Sequence, residues 1–174
     1  MRNICLSIFL IFSVSFSACI DVEEIIESEP GSITATINGE SFSVSGLLTD
    51  GELNIQGTNI ESMAIGGATL PLSGVTEGIA LAIVAADGMP LEAGKTYTVS
   101  SNTAVAGAEY VQEGANLDLK AIAQENGLGT ITITKLDRTE KLVSGTFEFD
   151  GIDDDFPNMV YEVRDGKFTD IVFD

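Results

Sequence analysis

The side chains equipped for chemistry in this sequence are few and mostly of one kind. Cys19 is a thiol set directly after the small residues Ser17-Ala18, where a long apolar run ends. A cysteine so placed is an acceptor for lipid rather than a nucleophile toward a substrate. Histidine is absent, which removes the commonest general base and metal ligand. With Cys19 acylated no thiolate remains, so Ser/His/Asp, Cys/His and zinc chemistry are excluded. What is left is carboxylate: 27 Asp and Glu. Two of them flanking a glycosidic bond would suffice for hydrolysis, but sugar clefts favour exposed aromatic platforms, and the chain has no Trp and only Tyr97, Tyr110 and Tyr161 as tyrosines. The acidic run Asp150-Gly151-Ile152-Asp153-Asp154-Asp155 offers the oxygens that Ca²⁺ takes. It lacks the alternating acidic spacing and closing Glu of a calcium loop, and reads as a solvated connection between strands. No catalytic residue, metal site or cofactor is assigned.

The elements that would carry these groups begin with an export signal. Met1-Arg2-Asn3, the apolar stretch Ile4 to Phe16 and the small-residue close at Ser17-Ala18 give residues 1–18 the form of a signal peptide. The apolar run is too short for a membrane span, which needs about 20 residues. Ser17-Ala18-Cys19 resembles the bacterial lipobox, with Phe16 standing where Leu is usual three residues before the cysteine. Cys19 is therefore the expected lipid-attachment residue, and the membrane, reached through that N-terminal lipid, is the expected partner. Cys5 leaves with the signal, so the mature chain has no disulfide. Residues 19–31, acidic and closed by Pro30-Gly31, read as a tether.

Charge sets the next limits. The chain has 8 Lys+Arg against 27 Asp+Glu, and Arg2 lies in the signal, which leaves about −20 on the mature part. Such a field repels phosphates, so no nucleic acid partner is expected. Residues 32–174 are of a size to form a single domain.

Periodicity makes that domain all-β. Ile33 to Ile37 and Ser41 to Ser45 alternate apolar with polar residues on either side of Asn38-Gly39, the strongest short hairpin signal. Thr130 to Thr134 and Val143 to Phe149 form a second alternating pair around the polar loop 137–141. Further strands are expected at 52–57, 62–65, 78–85, 95–100, 109–112, 117–123, 160–163 and 167–173, with Asp50-Gly51, Asp87-Gly88, Asn126-Gly127 and Asp165-Gly166 in the gaps. About ten short strands with little helix predict an antiparallel two-sheet β-sandwich or flattened barrel. Phe42, Phe147, Phe149, Phe168 and Phe173 sit at core-facing positions, whereas Phe156, beside Pro157, is the candidate exposed contact.

The lipobox, Thr34-Ala35-Thr36-Ile37-Asn38-Gly39, Thr130-Ile131-Thr132-Ile133-Thr134-Lys135-Leu136-Asp137, Gly145-Thr146-Phe147-Glu148-Phe149 and Asp165-Gly166-Lys167-Phe168-Thr169-Asp170-Ile171 together resemble an uncharacterised family of Bacteroidota lipoproteins. The resemblance spans the mature domain and implies a β-rich cell-envelope protein, outer-membrane anchored and periplasmic or surface-exposed. It brings no catalytic residues. The expected function is a non-catalytic binding or structural accessory module, not an enzyme, monomeric, with a protein or glycan partner; a carboxylate-dependent glycan hydrolase is the alternative.

Overall fold

The computed structural model describes residues 31–56, 60–69, 75–85, 90–99, 106–114, 117–123, 129–153 and 158–174. The signal segment, Cys19 and the tether up to Pro30 lie outside them. Among the described residues there are eleven strands: β1 (Ser32–Ile37), β2 (Glu40–Ser45), β3 (Thr49–Gln56), β4 (Ile60–Ala68), β5 (Val75–Val84), β6 (Thr96–Thr98), β7 (Ala106–Gly114), β8 (Leu117–Ala123), β9 (Gly129–Asp137), β10 (Leu142–Asp153) and β11 (Val160–Val172). A single 3-10 turn, Gly46–Leu48, is the helical content among the described residues.

Every strand pairing is antiparallel, in the order β2-β1-β11-β10-β8-β7-β5-β4-β3, with β9 and β6 branching from β10. The branch exists because β10 is long: residues 142–149 pair with β9, and residues 151–153 with β8. The far end of the sheet curls back on itself. Gly51 in β3 bridges Phe173, Leu53 N–H donates to Asp174 O at 3.2 Å, and Asp174 N–H donates to Gly51 O at 3.2 Å. A Cβ on Gly51 would lie 2.9 Å from Val172 O, so the absence of a side chain permits this closure. The result is a nearly closed barrel, the second of the two architectures that the alternation predicts.

Asn38 (φ 49°) and Gly39 (φ 85°) form the expected two-residue turn between β1 and β2. The predicted break at Asp165-Gly166, by contrast, is not a break. Residues 160–172 form one strand, and Asp165 (φ 52°) sits where the register with β10 and β1 shifts by one residue. It is a β-bulge, which uses the same left-handed backbone as a turn without ending the strand. Asp170 (φ 47°) marks a second shift. Residues 150–153 also differ from the predicted loop, being the last part of β10.

The core is the inner face of this barrel. Ile33, Phe149, Phe168, Ile131, Ile133, Val163 and Ile171 have no exposed surface. Phe42, Phe147 and Phe173 join them as the alternation requires. Phe147 stacks between Phe149 and Phe168, with ring centroids 6.5 and 6.4 Å apart. Phe156 lies outside the described residues.

Candidate functional site

A strand's period of two turns every second side chain inward, so an acidic residue in phase with the core must find a partner or reach an opening. Four acids are in that phase: Glu40 with Phe42 and Val44, Glu61 with Met63 and Ile65, Glu77 with Ile79, Leu81 and Ile83, and Asp153 with Phe149 and Gly151. Two of them, Glu77 and Asp153, belong to one group of residues. Tyr110, itself buried, donates its hydroxyl hydrogen to Glu77 Oε1 at 2.8 Å, and Gln112 Nε2 donates to the same oxygen at 3.4 Å. The Glu77 backbone is held by Thr69, whose Oγ1 accepts from Glu77 N–H at 3.0 Å. Tyr161 packs on Tyr110 with ring centroids 5.6 Å apart and planes inclined by 40°. Burial, then the hydrogen bond to Glu77 and the charge of that carboxylate, push the Tyr110 hydroxyl far above its ordinary range. The Tyr161 hydroxyl is raised by burial and by the charge of Asp153. Tyr110 is thus a permanent donor and Glu77 its acceptor.

Glu61 is tied elsewhere. Its Oε2 accepts from Arg138 Nη2 and from Leu91 N–H, both at 2.8 Å, and Arg138 also reaches Leu91 O at 3.0 Å. Burial raises the Glu61 pKa, but the Arg138 hydrogen bond, the Leu91 N–H and the guanidinium charge outweigh it, and the net direction is down. The clasp fixes the segment around Leu91 to the end of β9. There Lys95 Nζ lies 5.4 Å from the centre of the Tyr97 ring.

The acidic run around Asp150 is divided by the same alternation. Asp150 faces outward and pairs with Arg164, while Asp153 is turned inward and buried. Asp154 and Asp155 lie outside the described residues. Among the described residues, no three His, Cys, Asp or Glu side chains are grouped so as to hold a metal ion.

The profile of the family described as Domain of unknown function (DUF6252) matches residues 29–172. The chain belongs to that family. No curated protein and no solved structure matches it. The DUF6252 match takes in every strand that carries the resemblance noted above, from Thr34 to Ile171. Within this DUF6252 domain the Tyr110–Glu77–Gln112 group was not singled out from sequence. The available signal was phase: Glu77 follows the spacing of Ile79, Leu81 and Ile83, where a solvated residue would not stand.

Proposed function

We propose that this protein is a non-catalytic module of the cell envelope, held at the outer membrane of a Bacteroidota cell by lipid on Cys19. One observation carries the non-catalytic part. Two of the inward-phase carboxylates, Glu61 and Glu77, are occupied by donors of the protein itself, Arg138 and Leu91 for one and Tyr110 and Gln112 for the other. A hydrolase needs two carboxylates presented across a gap of about 5 to 10 Å to a scissile bond. Here these acids serve as acceptors that join strands to one another. The anchoring part is supported by Ser17-Ala18-Cys19 after an apolar run, and by the acidic tether that follows it. Two or three acyl chains on one cysteine give stable attachment where a single chain would be marginal.

Fractionation with metabolic fatty-acid labelling tests the anchor. Wild-type chain is expected to carry label and to sediment with membranes, and Cys19→Ser to lose the label and appear in the soluble fraction. An unlabelled wild type, or a Ser variant that stays with membranes, would refute it.

A further inference from the structure

Among the described residues one buried side-chain polar atom has no hydrogen-bond partner, the hydroxyl oxygen of Tyr97 on β6. Tyr110 is buried to nearly the same degree, yet its hydroxyl donates to Glu77. Burial raises the Tyr97 pKa, the Glu92 backbone N–H opposes this from a position that completes no hydrogen bond, and the charges of Glu92 and Glu61 add to the rise. The hydroxyl is therefore sealed beneath the segment that carries Glu92, with its hydrogen undonated. A buried hydroxyl in that state costs the closed structure free energy that solvation would return.

That segment is lightly fastened. Of residues 90–93, Pro90, Glu92 and Ala93 are exposed and Leu91 alone is buried. Three attachments meet at Leu91: its buried side chain, its N–H donated to Glu61 Oε2, and its carbonyl, which accepts from Arg138 Nη2. Arg138 is itself exposed, so its ion pair with Glu61 is of the kind that solvent weakens. The attachment changes character at Gly94. Gly94 N–H donates to Ile133 O at 2.7 Å and Ile133 N–H to Lys95 O at 3.1 Å, which continues the β6–β9 ladder. Gly94 takes φ 83° with nothing within 4 Å of a would-be Cβ, so the backbone is free to turn there.

We infer that residues 90–93 are a strap that opens about Gly94, lifting Leu91 off the barrel and admitting water to the Tyr97 hydroxyl, and that Arg138 sets how often it does so. The undonated hydroxyl favours the open form, and the clasp of Arg138, Glu61 and Leu91 favours the closed one. The barrel itself stays assembled, because the ladder beyond Gly94 and the Thr96–Thr132 and Thr98–Thr130 pairings of β6 are not broken. Opening of this kind is sub-global and leaves the core strands protected. It goes beyond the reading of the protein as an envelope module and does not depend on it.

Amide hydrogen exchange of the full chain in detergent, read at single residues by NMR, tests the strap. The Leu91 N–H is expected to exchange faster than the amides of β10 and β11 by roughly a hundredfold or more, since those wait for the barrel to unfold. Tyr97→Phe removes the hydroxyl and keeps the ring, so it should slow Leu91 exchange by about fivefold or more and raise the melting temperature. Arg138→Gln should quicken Leu91 exchange by about fivefold. Arg164→Gln, which breaks the ion pair with Asp150 instead, should leave Leu91 exchange unchanged. Four results would each overturn the inference: Leu91 exchanging at the rate of β10 and β11, a Phe variant with unchanged or faster Leu91 exchange, a Phe variant that melts lower, or equal responses to the Arg138 and Arg164 variants. The Phe variant decides the matter even where loss of Arg138 unfolds the chain.

Discussion

Gly145 faces Phe168 across β10 and β11, and Gly166 faces Phe147 two positions along, so each ring lies over a glycine of the neighbouring strand. This reciprocal arrangement lets the stacked rings Phe149, Phe147 and Phe168 fill the barrel interior. A Cβ on Gly145 would fall 2.2 Å from Thr132 O and 2.3 Å from Phe168 Cζ, and neither a paired backbone carbonyl nor a fully buried ring can withdraw. Gly145→Ala should therefore destabilise the domain by about 3 kcal/mol, the upper range for overpacking. Gly107, with nothing within 4 Å of its would-be Cβ, provides the comparison. There the Ala substitution should stabilise by about 0.5 kcal/mol, because glycine in a strand interior carries excess backbone entropy into the unfolded state. Urea denaturation of the two variants measures both, and equal effects would contradict the steric account.

Among the elements, the two hairpins were the most legible from sequence, since each rests on neighbouring residues. Asn38-Gly39 supplies left-handed backbone for the first. In the second, Asp137 Oδ1 accepts from Thr139 N–H and Glu140 N–H, both at 3.0 Å, and Lys141 takes φ 53°. Those backbone donors, Glu140's first, hold the Asp137 carboxyl below its ordinary pKa. A depressed carboxylate contributes stability above its unfolded pKa of about 3.9 and loses it as pH falls through the folded value. Asp137→Ala should therefore melt below wild type at pH 7, and the gap should close progressively in the acid range below about pH 4. A gap independent of pH would show that the ionised side chain is not what holds the loop. Less was legible where one backbone conformation serves two purposes: Asp165-Gly166 has turn chemistry but forms a bulge, because β10 and β1 pair with the chain on both sides of it. Least legible were the long-range contacts. Periodicity shows that Glu61 and Glu77 point inward, but it cannot name Arg138, 77 residues from Glu61, or the Gly51 approach to Phe173 that closes the sheet.

Over the whole molecule the dominant property is acidity, a formal net charge of −19 at pH 7. Its local cost is visible at Asp50, whose pKa is raised by burial beyond what the Gly51 N–H restores, with Asp174 and Glu52 adding like charge. Repulsion of this kind is screened over about 10 Å at 0.1 M salt. Added NaCl should raise the melting temperature, and Ca²⁺ should match Mg²⁺ at equal ionic strength. A several-degree gain with low-millimolar Ca²⁺ and none with Mg²⁺ would reveal a specific site by mass action and direct mutation to Asp150, Asp153 and Asp155. The placement of Gly31 has a mechanical consequence as well. It packs on Ile171, its carbonyl accepts from Gly46 N–H at 2.9 Å, and β1 then runs between β2 and β11. Tension applied through the preceding residues along the strand axis falls on both ladders of β1 in shear, so their hydrogen bonds resist together instead of parting one after another.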